Sequence, residues 1–140
     1  VLPTIFYHIG YNATTFELDL SNWNTSKVTD MSRMFYFAVK VNKIYVGPYW
    51  NTSNVTNSTY MFRNTTSLVG GNGTAYSYSH IDKEYARPDE AGTPGYFTRG
   101  TQGTAWNAPV LTTGLTPVNW NGSSWVTTTE SSWDYNYNEQ

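Results

Sequence analysis

The chain has 140 residues, enough for one domain or for one domain with a small appendage, and enough to bury a core without disulfides or metals. Only 18 side chains are charged and the net charge is −2, which argues against nucleic acid or an anionic membrane surface as a partner. Twelve Tyr, six Phe and six Trp beside abundant Thr, Ser, Asn and Gly exclude a disordered chain, and the absence of Cys excludes disulfides, thiolate metal sites and cysteine nucleophiles.

That composition favours strands joined by tight turns. No stretch reaches the apolar length of a membrane-spanning helix, so no direct membrane insertion is expected. The start at Val1-Leu2-Pro3 reads as the beginning of an excised or processed piece.

In chain order, Phe16–Leu20 alternates apolar and polar residues, which predicts a strand with one buried face. Residues 23–29, Trp-Asn-Thr-Ser-Lys-Val-Thr, recur at 50–56 as Trp-Asn-Thr-Ser-Asn-Val-Thr, and Met34-Phe35 returns as Met61-Phe62. Eight of the thirteen positions from Trp23 to Phe35 are identical at an offset of 27, too many for chance. Val28, Met31, Met34 and Phe35 fall on one face of a predicted short helix, with Thr29 or Asp30 as its cap. Ile44-Tyr45-Val46 is the second strand. It precedes its Trp by one residue more than Leu20 does, so that connection should carry an extra residue. A strand, a turn and a short helix every 27 residues describe a solenoid coil that buries its apolar face only against its neighbours.

The string LDLSNWNTSKVTDMSRMF from Leu18 to Phe35 resembles the signature of the BspA-like surface proteins, the DUF285 group of leucine-rich-type repeats. Residues 67–74, with Tyr85-Ala86-Arg87 and residues 93–98, are similar to the stretch that closes such arrays. The likeness covers about residues 14–99. It implies an exposed, repeat-built module of the kind found on bacterial and mycoplasmal surfaces and in some phage and protist sequences. It brings no catalytic motif. Two repeats are plain here, whereas such arrays need about three for stability, so either Ile5-Phe6-Tyr7 reads as a degenerate preceding unit and 67–99 as a closing cap, or the chain is the terminal fragment of a longer array.

From Thr98 to Thr104 the stretch is small and polar and reads as a linker. Beyond it, Asn121-Gly122 between aromatic and β-branched runs predicts a hairpin with a two-residue turn, setting Trp120 opposite or near Ser123, and 109–112 offers a further strand. The end at residues 133–138 carries no terminator and suggests that the protein continues.

Trp106, Trp120, Trp125, Trp133 and Tyr135 are the candidate ligand-binding residues, because aromatic faces suit both sugar rings and protein hot spots; packing of a small hairpin core is the competing role. Trp23 and Trp50 recur with the repeat and are expected to pack. Eight Asn-x-Ser/Thr sequons occur, but Asn24 and Asn51 are repeat equivalents, as are Asp30 and Asn57, and a turn-capping role is expected of them. Asp82, Glu84, Asp89 and Glu90 form an acidic cluster without calcium-loop spacing, and His8 and His80 belong to no catalytic or metal motif.

The expected fold is therefore α/β and β-rich: a short irregular solenoid of the leucine-rich-repeat type with one strand and one short helix per coil, spanning 1–99, followed by a Trp/Tyr tail with a β-hairpin at 100–140. The expected function is a non-enzymatic, extracellular or cell-surface recognition or adhesion module for a protein or glycan partner, without cofactor or metal. The alternatives are a structural or host-attachment component of a virion, such as a phage tail or fibre protein, and a polysaccharide-acting enzyme domain.

Overall fold

The computed structural model describes residues 14–21 and 23–100, together with the backbone of three short strands at 106–107, 118–120 and 125–127. The described part is β-rich. Strand β1 (Phe16–Leu20) lies at one edge of a parallel sheet beside β3 (Val41–Val46), which pairs in turn with β4 (Thr98–Arg99). A second ladder joins β2 (Trp23–Asn24) to β5 (Trp106–Asn107), also in parallel. Strands β6 (Val118–Trp120) and β7 (Trp125–Thr127) form an antiparallel pair.

Period-two alternation builds the main sheet, as the sequence predicts. Leu18 and Leu20 of β1 and Ile44 and Val46 of β3 are buried, while Glu17 and Asp19 stay exposed. Leu18 pairs with Ile44 and Leu20 with Val46, an offset of 26, whereas Asp30 bridges Asn57 at an offset of 27. The expected extra residue thus lies between Val46 and Trp50.

The predicted short helix does not form. Among the described residues the helical content is one 3₁₀ turn at Lys83–Tyr85. The amides of Met31, Arg33, Phe35 and Phe37 donate instead to the carbonyls of Asn57, Thr59, Met61 and Arg63 in the next unit, at 2.8–3.0 Å. The amides of Met34, Tyr36 and Ala38 reach back three residues, closing successive turns between those rungs. Arg33 and Phe37 adopt left-handed backbone, φ 55° and 56°, and their equivalents 27 residues on, Tyr60 and Asn64, do the same at 58° and 60°. Each left-handed residue costs about 1–2 kcal/mol and breaks an α-helix. The cross-unit bonds offset that cost, and they explain why helix-like spacing folds otherwise: Val28, Met31, Met34 and Phe35 are all buried as predicted, but on turns.

Asn and Asp cap these turns in register. Asn24 Oδ1 accepts from the Ser26 amide at 3.1 Å and Asn51 Oδ1 from Ser53 at 2.7 Å. Asp30 holds Ser32 at 2.8 Å and Asn57 holds Thr59 at 3.2 Å. These are the turn amides that the repeated Asn and Asp were expected to satisfy.

Between the layers lies an aromatic stack. Phe35 and its repeat equivalent Phe62 are parallel within 12° at 5.4 Å between centroids. Tyr96 meets Phe62 edge-on at 5.0 Å and Phe97 meets it at 5.9 Å, so these two residues of the cap segment, 67–99, cover one end of the stack. Trp50 sets its ring edge-on to Phe97 at 5.0 Å and donates from Nε1 to the Ala86 carbonyl at 2.9 Å; Trp23 and Trp50 both pack against the core, the role expected of them.

Tyr96 is fully buried, with its hydroxyl donating to the His80 carbonyl at 2.8 Å and the Ser77 amide donating to it at 3.1 Å. Burial, the main cause, pushes the phenol up to about 12 from an ordinary 10.0. Because the folded value is the higher one, the phenol's contribution is complete below pH 10.0 and is lost as pH rises through about 12. The urea midpoint should therefore fall across that window. Tyr96→Phe should cost about 1–3 kcal/mol at pH 7 and flatten the alkaline slope; an unchanged slope would show that Tyr96 does not ionise on unfolding.

Two sequence expectations need correction here. Thr98-Arg99, read as the start of a linker, is β4, because their main chain completes the sheet: Tyr45 pairs with Thr98 and Val46 with Arg99. In the tail pair, Val118 faces Thr127 and Trp120 faces Trp125 rather than Ser123. That register leaves four residues, not two, in the connection. The run 109–112 lies outside the described residues.

Candidate functional site

The outward face of the parallel sheet carries an open groove of about 420 Å³, lined by Glu17, Asp19, Ser21, Tyr45, Arg99 and Gly100. The alternation that buries Leu18 and Leu20 turns Glu17 and Asp19 outward, and Tyr45 stands between the buried Ile44 and Val46. Arg99 comes from β4, so three successive layers contribute.

The groove is held by short-range hydrogen bonds. The Tyr45 hydroxyl donates to Glu17 Oε1 at 2.8 Å across the β1–β3 pair. That bond, with some burial and the charges of Glu17 and Asp19, holds the phenol above its ordinary value. Asp19 Oδ1 accepts from the Ser21 amide at 2.9 Å and also from its hydroxyl. Arg99 Nε donates to Glu90 Oε2 at 3.0 Å at the rim. Glycine is required on either side of Ser21: a Cβ on Gly100 would sit 1.7 Å from Ser21 Oγ, and one on Gly47 would sit 2.0 Å from its carbonyl oxygen. Two carboxylates, a guanidinium and a phenol ring in one open groove can pair with hydroxyls or peptide groups of a polar ligand.

The tail candidates are placed in part. Trp120 and Trp125 come together as a directly opposed cross-strand pair, whereas Trp106 lies in a different ladder, beside Trp23. Trp133 and Tyr135 lie outside the described residues.

The acidic cluster disperses into separate structural duties. Asp82 accepts from the Tyr60 amide at 3.0 Å, Glu84 pairs with His80 Nδ1 at 2.8 Å, and Glu90 pairs with Arg99. Asp89 braces the cap, accepting from the amides of Asn72 and Thr74 at 2.9 Å each, the Thr74 hydroxyl at 2.7 Å and the Gly95 amide at 3.2 Å. Burial works against its ionisation but is outweighed by the hydrogen bonds from Thr74, Gly95 and Asn72, which hold its carboxyl below the usual value. Among the described residues no group of three or more His, Cys, Asp or Glu side chains could hold a metal ion, and no helix is long and apolar enough to cross a membrane.

Sequence reasoning missed the groove. Its signal was present in part, since the alternation of β1 and β3 already turns Glu17, Asp19 and Tyr45 outward. Arg99 and Gly100 could not be assigned to it, because they follow Val46, the last residue of β3, by 53 and 54 residues, a gap closed only by the cap.

The fold and groove define a β-rich module of parallel-stacked 27-residue units with a polar sheet face. The chain belongs to the family described as Mycoplasma protein of unknown function, DUF285, whose model matches residues 4–86. No curated protein and no solved structure matches the chain.

Proposed function

We propose that this chain is a non-enzymatic recognition module displayed outside the cell, with its stacked units acting as part of a leucine-rich-type repeat array that binds a protein or glycan partner. The observation that carries the reading is the groove itself: three layers place Glu17, Asp19, Tyr45 and Arg99 on one rigid, open, polar face. Stacked repeats suit this role because the backbone ladder holds such a face in register without any need for ordering on binding. The sparse charge and net of −2 support a partner other than nucleic acid. Trp120 and Trp125, directly paired in backbone register, are the aromatic candidates of the tail for such a partner.

The test is a glycan array and a surface-protein display screen with the 140-residue chain, followed by titration of the hits. Arg99→Ala and Tyr45→Ala should each weaken binding about tenfold, the effect of losing one charge-assisted hydrogen bond or one aromatic contact. Hits that bind both variants as tightly as the parent would refute the groove. Trp120→Ala and Trp125→Ala then report on the tail in the same titration.

A further inference from the structure

Strand β1 lies at the edge of the parallel sheet, and among the described residues Glu17–Leu20 have a strand partner on one side only, β3. The ladder decides which main-chain groups that leaves over. In a parallel sheet, alternate residues of a central strand turn their N–H and C=O to opposite neighbours. The amides of Gly100 and Val69 donate to the carbonyls of Val46 and Asn42, so the even-numbered residues of β3 turn away from β1. Lys43 and Tyr45 therefore face β1, in register with Glu17 and Asp19. In a parallel pair such residues bond the neighbours of their counterparts, here Leu18 and Leu20, so the N–H and C=O of Glu17 and Asp19 turn to the open edge. The same two residues expose their carboxylates. Glu17 Oε1 accepts from Tyr45 and Asp19 Oδ1 from Ser21, which leaves one oxygen of each over. Ion pairs among the described residues form at His80–Glu84 and Arg99–Glu90, and neither Glu17 nor Asp19 has one.

We infer that the β1 edge takes an extended segment of a partner protein, carrying Lys or Arg at alternate positions, as an added parallel strand. The inference rests on the reading above that the chain is a recognition module, and it narrows the partner to a polypeptide. An unpaired edge offers donors and acceptors at the spacing of another main chain, which a glycan does not have. Charge selects among polypeptides. A second copy pairing edge to edge would set Glu17 and Asp19 against the same carboxylates, and like charges across a strand pair destabilise it. Lys or Arg at alternate positions meets both carboxylates on one face, while the residues between fall on the side of the buried Leu18 and Leu20. The first unit already takes one strand of this kind: Trp23–Asn24 pairs in parallel with β5, from outside the repeats.

The capped hexapeptide TKVKVT is titrated into the full 140-residue chain by amide-detected NMR, at low and high salt. Its lysines stand opposite Glu17 and Asp19, and its two valine amides donate to their carbonyls. TEVEVT and a TKVKVT peptide N-methylated at both valines are run beside it. TKVKVT should bind, more weakly in high salt, and should slow hydrogen exchange of the Glu17 and Asp19 amides at least about tenfold. Both counterparts should bind at least about tenfold more weakly. Glu17→Gln/Asp19→Asn, which keeps the acceptors for Tyr45 and Ser21, should lose at least about tenfold as well. No binding of TKVKVT, equal binding of either counterpart, or an unaltered affinity in the double variant would each overturn the inference. Arg99→Ala separates this edge from the groove. A peptide that fails while array hits still depend on Arg99 removes the added strand and leaves the groove standing. A peptide that binds Arg99→Ala as tightly as the parent, while no array hit depends on Arg99, removes the groove and leaves the edge.

Discussion

Phe62→Ala is expected to unfold most of the molecules or to leave a domain with little remaining stability. Phe62 is fully buried, and its ring touches both the first unit, through Phe35 at 5.4 Å, and the cap, through Tyr96 and Phe97. Removing a buried phenylalanine costs about 3–5 kcal/mol, from lost burial and from the cavity left behind. Small domains have only about 5–15 kcal/mol in total. Urea denaturation followed by far-ultraviolet dichroism should show the midpoint falling by a third or more. Phe62→Leu keeps most of the volume and should cost under about 1.5 kcal/mol, although it loses the stacking. Tyr49→Ala, at an exposed site, should stay within about 0.5 kcal/mol. A loss below about 1 kcal/mol in Phe62→Ala would mean that the layers are held by their hydrogen-bond ladder rather than by the aromatic stack.

Asp89→Ala is expected to be the most damaging change among the charged residues, at about 2–4 kcal/mol. One carboxylate satisfies three amides and a hydroxyl drawn from residues 72–74 and 95, so its removal orphans all four donors at once. The backbone packs closely around this carboxylate: a Cβ on Gly70 would lie 2.6 Å from Asp89 Oδ2, and one on Gly95 would lie 2.1 Å from the Arg87 carbonyl oxygen. The acid dependence has a definite sign. The folded carboxyl ionises below the ordinary 3.8, so its contribution is present above pH 3.8 and is lost as pH falls through the lower folded value. Asp89→Asn should therefore be less stable than the parent at pH 7 and should approach it as the pH is taken well below 3.8. A gap that persists unchanged in acid would show that shape, not charge, sets the contribution of this side chain.

Much of this architecture was legible because it depends on short-range pattern. Alternation at Phe16–Leu20 and Ile44–Val46 determines which side chains enter the core, and the 27-residue repeat brings Phe35 to Phe62 and Asp30 to Asn57. The spare residue before Trp50 was countable from the chain alone. Even the caps at Asn24 and Asn51 followed from their equivalence, since a turn that recurs needs the same amide satisfied each time.

What only the tertiary structure decided is where each backbone hydrogen bond goes. Val28, Met31, Met34 and Phe35 have helical spacing, yet their segment folds as turns because its alternate amides find carbonyls in the next unit, a partner that no local window contains. Likewise Arg99 and Gly100 join Glu17, Asp19 and Tyr45 only because the cap returns the chain to the edge of β3. The sequence by itself determined the layers and their buried faces, through side-chain period and repetition. The turns and the groove were decided by contacts between layers, whose energies depend on neighbours far away in the chain.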